Sequence, residues 1–427
     1  MKLIKPFCGL RPTRDLASRV ASHPYDVLNR KEAHEIGKDN PYSFLHINKP
    51  EIDLDSKTNA YDKEVYAKGK ENLDKFIEEG VLQLDEEDNY YLYKQIMGPH
   101  EQVGLVAVAS VEAYEKNLIK KHEFTRPDKE NDRVNHMECL SAQVGPVFLT
   151  YESIDAVNEL IEQIMETEPE YDFEADFNTR HVFWVVRDRN MVAKIDTAFD
   201  EVDRLYVADG HHRSAAARRI KQLGQSRNPN HTGEESYNFF LVVLFPDKQV
   251  QILDYNRVVK IESNMFPTRL LNDIGKCFDV FKVETASNAK PSIPRCFGLY
   301  MNNCWYQLIV NSKLRAQIDE NNPKESLDVS IMHSTVFEPL LGIKDQRSDK
   351  RIDFVGGIRG LEELEKRVDS GEWQAAVAYY PTSVESLMKI ADADEVMPPK
   401  STWFEPKLKS GLVVHMLDLY DYSVKPN

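Results

Sequence analysis

The sequence predicts a mixed α/β fold. Apolar segments of strand length, rich in β-branched and aromatic residues, alternate along the chain with amphipathic segments of helical spacing. Two strand segments, "NYYLYKQI" and "GLVAVASV", are separated by the turn residues Gly98 and Pro99, which predicts an antiparallel hairpin. The chain has 427 residues, 41% of them hydrophobic, so it is long enough for two or three domains.

The elements can be assigned in order from the amino terminus. Residues 58–80 place apolar side chains at helical spacing before Gly80, which predicts an amphipathic helix. A second helix is predicted from Thr125 to about Ala142, because Thr125 can cap it and a proline suits its first turn. Strands are predicted in "PVFLTY", "HVFWVVRD", "LYVAD", "YNFFLVVLF" and "VQILDYNRVV".

The pattern restarts at about residue 263, with "CFGLYM" and "CWYQLIV" as strands and "DVSIMHSTVFEPLLG" as a helix. We therefore predict three segments. They are an N-terminal region at 1–144, a core at 145–262 and a C-terminal α/β domain at 263–427.

Composition and charge exclude several classes of function. The formal net charge of −16 disfavours a general attraction to nucleic acid or to an anionic membrane, so any phosphate site must be local. The five cysteines are scattered without a C-x-x-C pair, which argues against a disulfide framework or a cysteine zinc site. Since no apolar stretch is long enough to span a bilayer, we expect a soluble cytoplasmic protein without membrane partners.

The segment "YVADGHHRSAAARRI" predicts a phosphate site. A buried strand leads into a tight turn and then into a helix, whose N-terminus offers unpaired N–H groups and the positive end of its dipole. The alternative is that Asp209 only caps the helix and that the basic side chains pair with local carboxylates. The candidate phosphate-binding residues are consecutive: Asp209, Gly210, His211, His212, Arg213 and Ser214.

A second helix start carries similar chemistry in "KKHEFTRPDKENDRVNH". Lys129 and Arg133 lie four residues apart on one face of the helix that Thr125 is predicted to cap, so all three are candidate phosphate ligands. Carboxylates beside them can act as a general base or hold Mg²⁺, as phosphoryl transfer requires, although a solvated charged helix face is the plain alternative. The candidate catalytic residues are His122, Glu123, Glu130 and Asp132, with Glu123 and Glu130 as metal ligands.

Seven segments occur in order between Pro6 and His415: "PFCGLRP", "PYDV", "NPYSFLHI", "KHEFTRPDKENDR", "YVADGHHRSAAA", "LDYNRVV" and "MPPKSTWFEPKLKSGLVVH". Together they resemble a bacterial and archaeal family, DUF1015, whose members are often labelled SpoOJ/ParA/ParB/RepB-like.

The turn at Gly210 is also similar to the phosphate-binding turn of the ParB, sulfiredoxin and free-serine-kinase superfamily. This resemblance implies a ParB/sulfiredoxin-like core with a mixed sheet, beside a second α/β domain, and a nucleotide bound at a helix start. His211 stands where sulfiredoxins have their reactive cysteine, so the resemblance does not extend to sulfinic acid reduction.

We therefore expect a phosphotransferase that uses ATP or ADP with Mg²⁺ on a small hydroxyl metabolite, in the manner of a serine kinase. The alternatives are a phosphatase acting on a metabolite such as phosphoserine, a nucleotide-sensing regulator without turnover, and a ParB-like DNA-associated protein. The acidic net charge and the absence of a basic recognition helix argue against the last.

Overall fold

The computed structural model describes residues 1–261 and 267–419. It divides into two compact units, one formed by Met1–Val250 together with the segment from Pro406, and the other by Gln251–Glu405. The predicted boundary at 262–263 lies outside the described residues. No helix in the described ranges is long and apolar enough to cross a membrane.

The strands and helices confirm a mixed α/β fold. The strands are β1 Ile4–Lys5, β2 Gly9–Pro12, β3 Leu82–Leu84, β4 Tyr90–Met97, β5 His100–Ser110, β6 Ile119–Lys120, β7 Ala142–Gln143, β8 Val147–Tyr151, β9 Tyr171–Ala175, β10 Thr179–Val186, β11 Leu205–Asp209, β12 Phe239–Pro246, β13 Ile252–Leu253, β14 Tyr255–Val259, β15 Phe278–Val283, β16 Cys296–Met301, β17 Cys304–Val310, β18 Ile352–Gly356, β19 Ala375–Tyr379, β20 Trp403–Phe404 and β21 Val414–Met416. The helices are α1 Ala17–Val20, α2 Arg30–Gly37, α3 Leu45–Asn48, α4 Lys63–Glu78, α5 Val111–Glu115, α6 Pro127–Leu140, α7 Asp155–Met165, α8 Arg189–Phe199, α9 His211–Arg227, α10 Pro267–Ile274, α11 Ala286–Ala289, α12 Ser312–Arg315, α13 Asp328–Met332, α14 Glu338–Leu341, α15 Glu362–Asp369 and α16 Val384–Asp392.

The first unit is built on a mixed sheet in the order β6-β11-β8-β12-β5-β4-β10-β9, with β1 also paired to β5. The pairs β6/β11 and β8/β12 are parallel, and the other pairs are antiparallel. The predicted hairpin is confirmed, because Met97 pairs with His100 around Gly98 and Pro99. Alternate residues of the central strands enter one core with side chains from α7, α8 and α9, since successive strand residues point to opposite faces. Among them are Leu105, Ala107, Ala109, Val147, Leu149, Val242, Leu244, Ile161, Ile195 and Ala217.

The predicted boundary between residues 144 and 145 does not separate compact units. Strands β4 and β5, which precede it, pair with β10 and β12, which follow it. The C-terminal strand β21 pairs with β2 and β7 in a small sheet, so the chain returns to the first unit after residue 405. The second unit has its own sheet, in the order β15-β17-β16-β19-β14-β18. Strand pairing distant in sequence carries no local signal, which is why the sequence suggested three consecutive segments.

Gly224 lies inside helix α9, which continues to Arg227. The glycine has a packing role, because a Cβ at this position would lie 2.6 Å from the ring of Tyr237. The helix can therefore approach that aromatic residue as closely as backbone allows.

We expect Gly224→Ala to destabilise the first unit, although alanine is the better helix former. Overpacking of a filled site costs about 1–3 kcal/mol, which exceeds the gain of about 1 kcal/mol in helix propensity. Urea unfolding of the variant and the parent protein measures the difference. A variant that is more stable than the parent would show that Tyr237 is free to move away.

Candidate anion and metal site

The turn between β11 and α9 has a geometry that requires glycine. A β-bulge lies between Val207 and Asp209 at the end of the strand. Gly210 follows with φ of +100°, in the left-handed region, and it is the N-cap of α9 without any side-chain cap hydrogen bond. Asp209 is therefore not the helix cap. Its carboxylate is instead bound by Lys407, with Nζ 3.1 Å from Oδ2.

Helices α6 and α9 lie side by side and run in the same direction. Arg126, the N-cap of α6, donates its backbone N–H to Nε2 of His212 in the first turn of α9, at 3.0 Å. Towards the other end, Arg227 of α9 pairs with Glu138 of α6 at 2.7 Å. The two helix starts that the sequence singled out are therefore neighbours. The positive ends of both helix dipoles lie together at the Gly210 turn.

Arg213 is buried directly beneath this turn, with 6% of its surface exposed. One guanidinium nitrogen donates to the carbonyl of Pro146, and another lies 4.0 Å from a carboxylate oxygen of Asp209. Its Nε has no hydrogen-bond partner among the described residues. The guanidinium thus keeps part of its donor capacity unused in a place where an unpaired donor is costly.

Asp209 remains ionised although only 33% of its side chain is exposed. Burial favours the neutral carboxyl, but the charges of Lys407 and Arg213 more than offset it and hold the pKa of Asp209 well below its usual range. The carboxylate of Asp209 therefore faces two cations at the turn.

Arg133, the second predicted phosphate-binding arginine, is engaged by protein groups. It pairs with the neighbouring carboxylate of Asp132 at 2.6 Å and lies over the ring of Tyr25 at 3.8 Å. Asp132 also accepts a hydrogen bond of 3.0 Å from the hydroxyl of Tyr66. Asp132 is thus an ion-pair partner, and the arrangement does not support it as a catalytic base. The hydroxyl of Tyr25 lies within the electrostatic influence of both Arg133 and Arg213.

Three other predicted groups on these helices already have protein partners. Lys129 donates to the hydroxyl of Tyr61 at 2.7 Å. The hydroxyl of Ser214 is buried and donates to the carbonyl of His211 at 3.0 Å. Glu130 accepts hydrogen bonds from Thr125 and Arg219.

The capping prediction for Thr125 is wrong. Arg126 is the N-cap of α6, and the Thr125 hydroxyl donates to Glu130 at 3.0 Å. Glu130 was predicted to bind Mg²⁺, but its two carboxylate oxygens face Thr125 and Arg219.

Three predicted residues do come together at the turn. Each of His122, Glu123 and His211 offers one ligand atom, and these atoms all lie within 4.8 Å of one another. The two imidazole rings meet edge to face at a centroid distance of 4.5 Å. Nδ1 of His211 is 4.0 Å from a carboxylate oxygen of Glu123. The sequence predicted a metal role for Glu123, and the structure places the two histidines beside it.

A family model described as a protein of unknown function, DUF1015, matches residues 4–330. The chain belongs to this family. The match confirms the family and includes both helix starts, but it ends at residue 330, whereas the resemblance seen in the sequence was predicted to extend to His415. No curated protein matches the chain.

Solved structures share a distant likeness with this DUF1015 chain. A conserved hypothetical protein from Pyrococcus furiosus is 14% identical, with 74% of this chain and 97% of that one covered and a TM-score of 0.35. A free serine kinase in complex with AMP is 13% identical, with coverages of 72% and 91% and a TM-score of 0.35. SbnI from Staphylococcus aureus, truncated at its C-terminus, is 11% identical, with coverages of 70% and 82% and a TM-score of 0.36. At these TM-scores we draw no functional conclusion from the likeness.

Sequence reasoning missed Lys407 and Tyr25 as members of the site. Tyr25 lies in "PYDV" and Lys407 in "EPKLKSG", two of the segments that carry the DUF1015 resemblance. The resemblance therefore marked both segments, but neither residue type indicated an anion site. Lys409, two residues after Lys407, is buried and pairs with Asp176 at 3.2 Å. Lys407 is distant in sequence from Asp209, so only the fold brings it to the Gly210 turn.

Proposed function

We propose that the Gly210 turn binds the phosphates of ATP or ADP and that the chain transfers a phosphoryl group to the hydroxyl of a small metabolite, with serine as the first substrate to test. The observation that carries this proposal is the pairing of two helix N-termini over the buried, incompletely bonded guanidinium of Arg213. Backbone amides at helix starts and an arginine are the groups that phosphate recognition uses.

The surrounding charges support a local anion site. Lys407 and Arg213 both lie beside the carboxylate of Asp209, so an arriving phosphate would meet two cations at the turn. In phosphoryl transfer the protein contributes positioning and stabilisation of charge on the phosphoryl oxygens, and these residues suit that task. The partly exposed Glu123 is the carboxylate that can accept the proton of the attacking hydroxyl or bind a divalent ion such as Mg²⁺.

Hydrolysis of a phosphorylated metabolite is the second candidate. It is favoured by the cluster of two imidazoles and one carboxylate, because such a set can hold an ion that activates water. The phosphate would occupy the same turn in either case.

Two incubations distinguish the kinase reaction from the phosphatase reaction. The protein is given serine with ATP or ADP and Mg²⁺, and separately phosphoserine alone, and the products are identified by mass spectrometry. Nucleotide-dependent phosphoserine supports the kinase, whereas free serine and phosphate from phosphoserine alone support the phosphatase. Calorimetric titration of ATP and ADP is the underlying test, and absence of saturable binding would overturn the nucleotide proposal.

Glu123→Gln tests the assigned carboxylate. We expect turnover to be lost while nucleotide affinity is kept, because the change preserves size and removes only the charge. Glu138→Gln is the matched control, since Glu138 pairs with Arg227 at the far end of the same helix pair and should leave turnover unchanged. Full activity of Glu123→Gln would exclude this carboxylate from the reaction.

A further inference from the structure

We infer that His122, Glu123 and His211 bind a divalent transition-metal ion, with Zn²⁺ as the representative ion. This assignment decides between the two roles left open for Glu123, and it does not require the proposed reaction. The three residues come from two places in the chain: His122 and Glu123 precede α6, and His211 is the first residue of α9. The pairing of the two helix starts brings them together.

The buried imidazoles give the first reason. His122 and His211 are 2% and 5% exposed. Neither ring nitrogen of His122, nor Nε2 of His211, has a hydrogen-bond partner in the part of the chain that the structure describes. Buried polar atoms are nearly always paired, so unpaired nitrogens on two adjacent rings call for a missing partner. A metal ion would accept one lone pair from each ring, and the other nitrogen of His122 has the backbone of Val207 as its neighbour.

The neighbouring carboxylate gives the second reason. Nδ1 of His211 lies 4.0 Å from a carboxylate oxygen of Glu123. Zinc sites combine imidazole nitrogens with a carboxylate in this way. The carboxylate of Glu123 then supplies negative charge to the ion.

The ligand types select the class of ion. Imidazole nitrogens suit Zn²⁺ and its transition-metal neighbours, whereas Mg²⁺ prefers oxygen ligands. Around a tetrahedral zinc ion, with bonds of about 2.0–2.1 Å, ligand atoms lie roughly 3.4 Å apart. The present spread of up to 4.8 Å would therefore close by a small adjustment of side chains. Three protein ligands leave a position for water or substrate, as in catalytic zinc sites.

Zinc binding to the full chain tests the inference. The chain is dialysed against a chelator and then against ZnCl₂, bound zinc is counted by mass spectrometry, and its affinity is measured by competition with a chromogenic chelator. We expect one zinc per chain. Loading with Co²⁺ in place of zinc should give visible absorption bands of a low-coordinate site.

The variants make the test specific. Glu123→Gln keeps the size of a partly exposed side chain, and His211→Asn replaces one ring. Each should weaken zinc binding by at least about tenfold, since even residues that only support metal ligands contribute that much. Glu138→Gln on the same helix pair should keep the parent affinity. Near-ultraviolet circular dichroism checks that each variant is folded.

Two outcomes would overturn the inference: no stoichiometric zinc in the parent chain, or parent affinity in both folded variants. The experiment is independent of nucleotide binding. Absence of zinc with intact ATP or ADP binding would overturn the zinc inference and leave the proposed function standing. Bound zinc without nucleotide binding would support the zinc inference and overturn the proposed function.

Discussion

Acidification from about pH 7.5 to pH 5 is expected to reduce the free energy of unfolding, and three buried histidines outside the candidate site account for up to about 6 kcal/mol of this loss, because they remain neutral in the folded chain. They are His136, His181 and His415, each at most 5% exposed. Burial lowers the pKa of His136 and His415 to about 4 and that of His181 to about 3. Each ring already has a hydrogen-bond partner. His136 is bonded to the carbonyl of Ile47, His181 to the hydroxyl of Tyr93, and His415 to the carbonyl of Ser236.

The direction in which the free energy of unfolding changes with pH follows from proton linkage. In the unfolded chain a histidine has a pKa of about 6.5, so between that value and the folded pKa the unfolded state binds more protons. The contribution of each neutral, buried histidine to stability is fully present above about pH 6.5 and is lost progressively as the pH falls towards the folded pKa. Each histidine contributes at most about 1.4 kcal/mol per pH unit, or roughly 2 kcal/mol between pH 6.5 and 5.

Urea unfolding at several pH values measures the slope, and two variants identify its origin. His415→Gln should reduce the slope by about one proton, because it removes one titrating ring. His46→Gln is the opposite control. The hydrogen bond with Asp53 raises the pKa of His46, so its contribution is present below the unfolded value and is lost as the pH rises through the folded one. Removing it should make the acid loss steeper. A stability that does not change between pH 7.5 and 5 would contradict the burial of these rings.

The sequence predicted the fold class and the helix starts because both have local causes. The hairpin at Gly98 follows from two apolar strands around turn residues, and the strand, turn and helix at Gly210 follow from residues adjacent in the chain. Partner choice was not predictable in this way. Lys407 reaches Asp209 across 198 positions of sequence, and Arg133 pairs with Asp132 and lies over Tyr25 although its spacing was compatible with a free phosphate ligand.

Replacement of Arg213 by alanine is expected to weaken the binding of ADP or ATP by about 10- to 150-fold. A charge-assisted hydrogen bond contributes roughly 1.5–3 kcal/mol, and Arg213 has an unpaired Nε beneath the turn where the phosphate would lie. The folded chain should survive the change, because Asp209 keeps Lys407 as its partner at 3.1 Å. Loss of the contact with the Pro146 carbonyl should still lower the free energy of unfolding by about 1–3 kcal/mol.

Calorimetric titration with ADP and ATP, at a temperature where the variant is folded, separates affinity from stability. Arg227→Ala is the matched control, since Arg227 lies in the last turn of the same helix and pairs with Glu138. Its loss should leave nucleotide affinity within about twofold of the parent value, because a charge at the other end of the helix is largely screened at physiological salt. An Arg213→Ala variant that binds nucleotide as tightly as the parent would place the phosphate elsewhere, and equal losses in both variants would show that only the general charge of α9 matters.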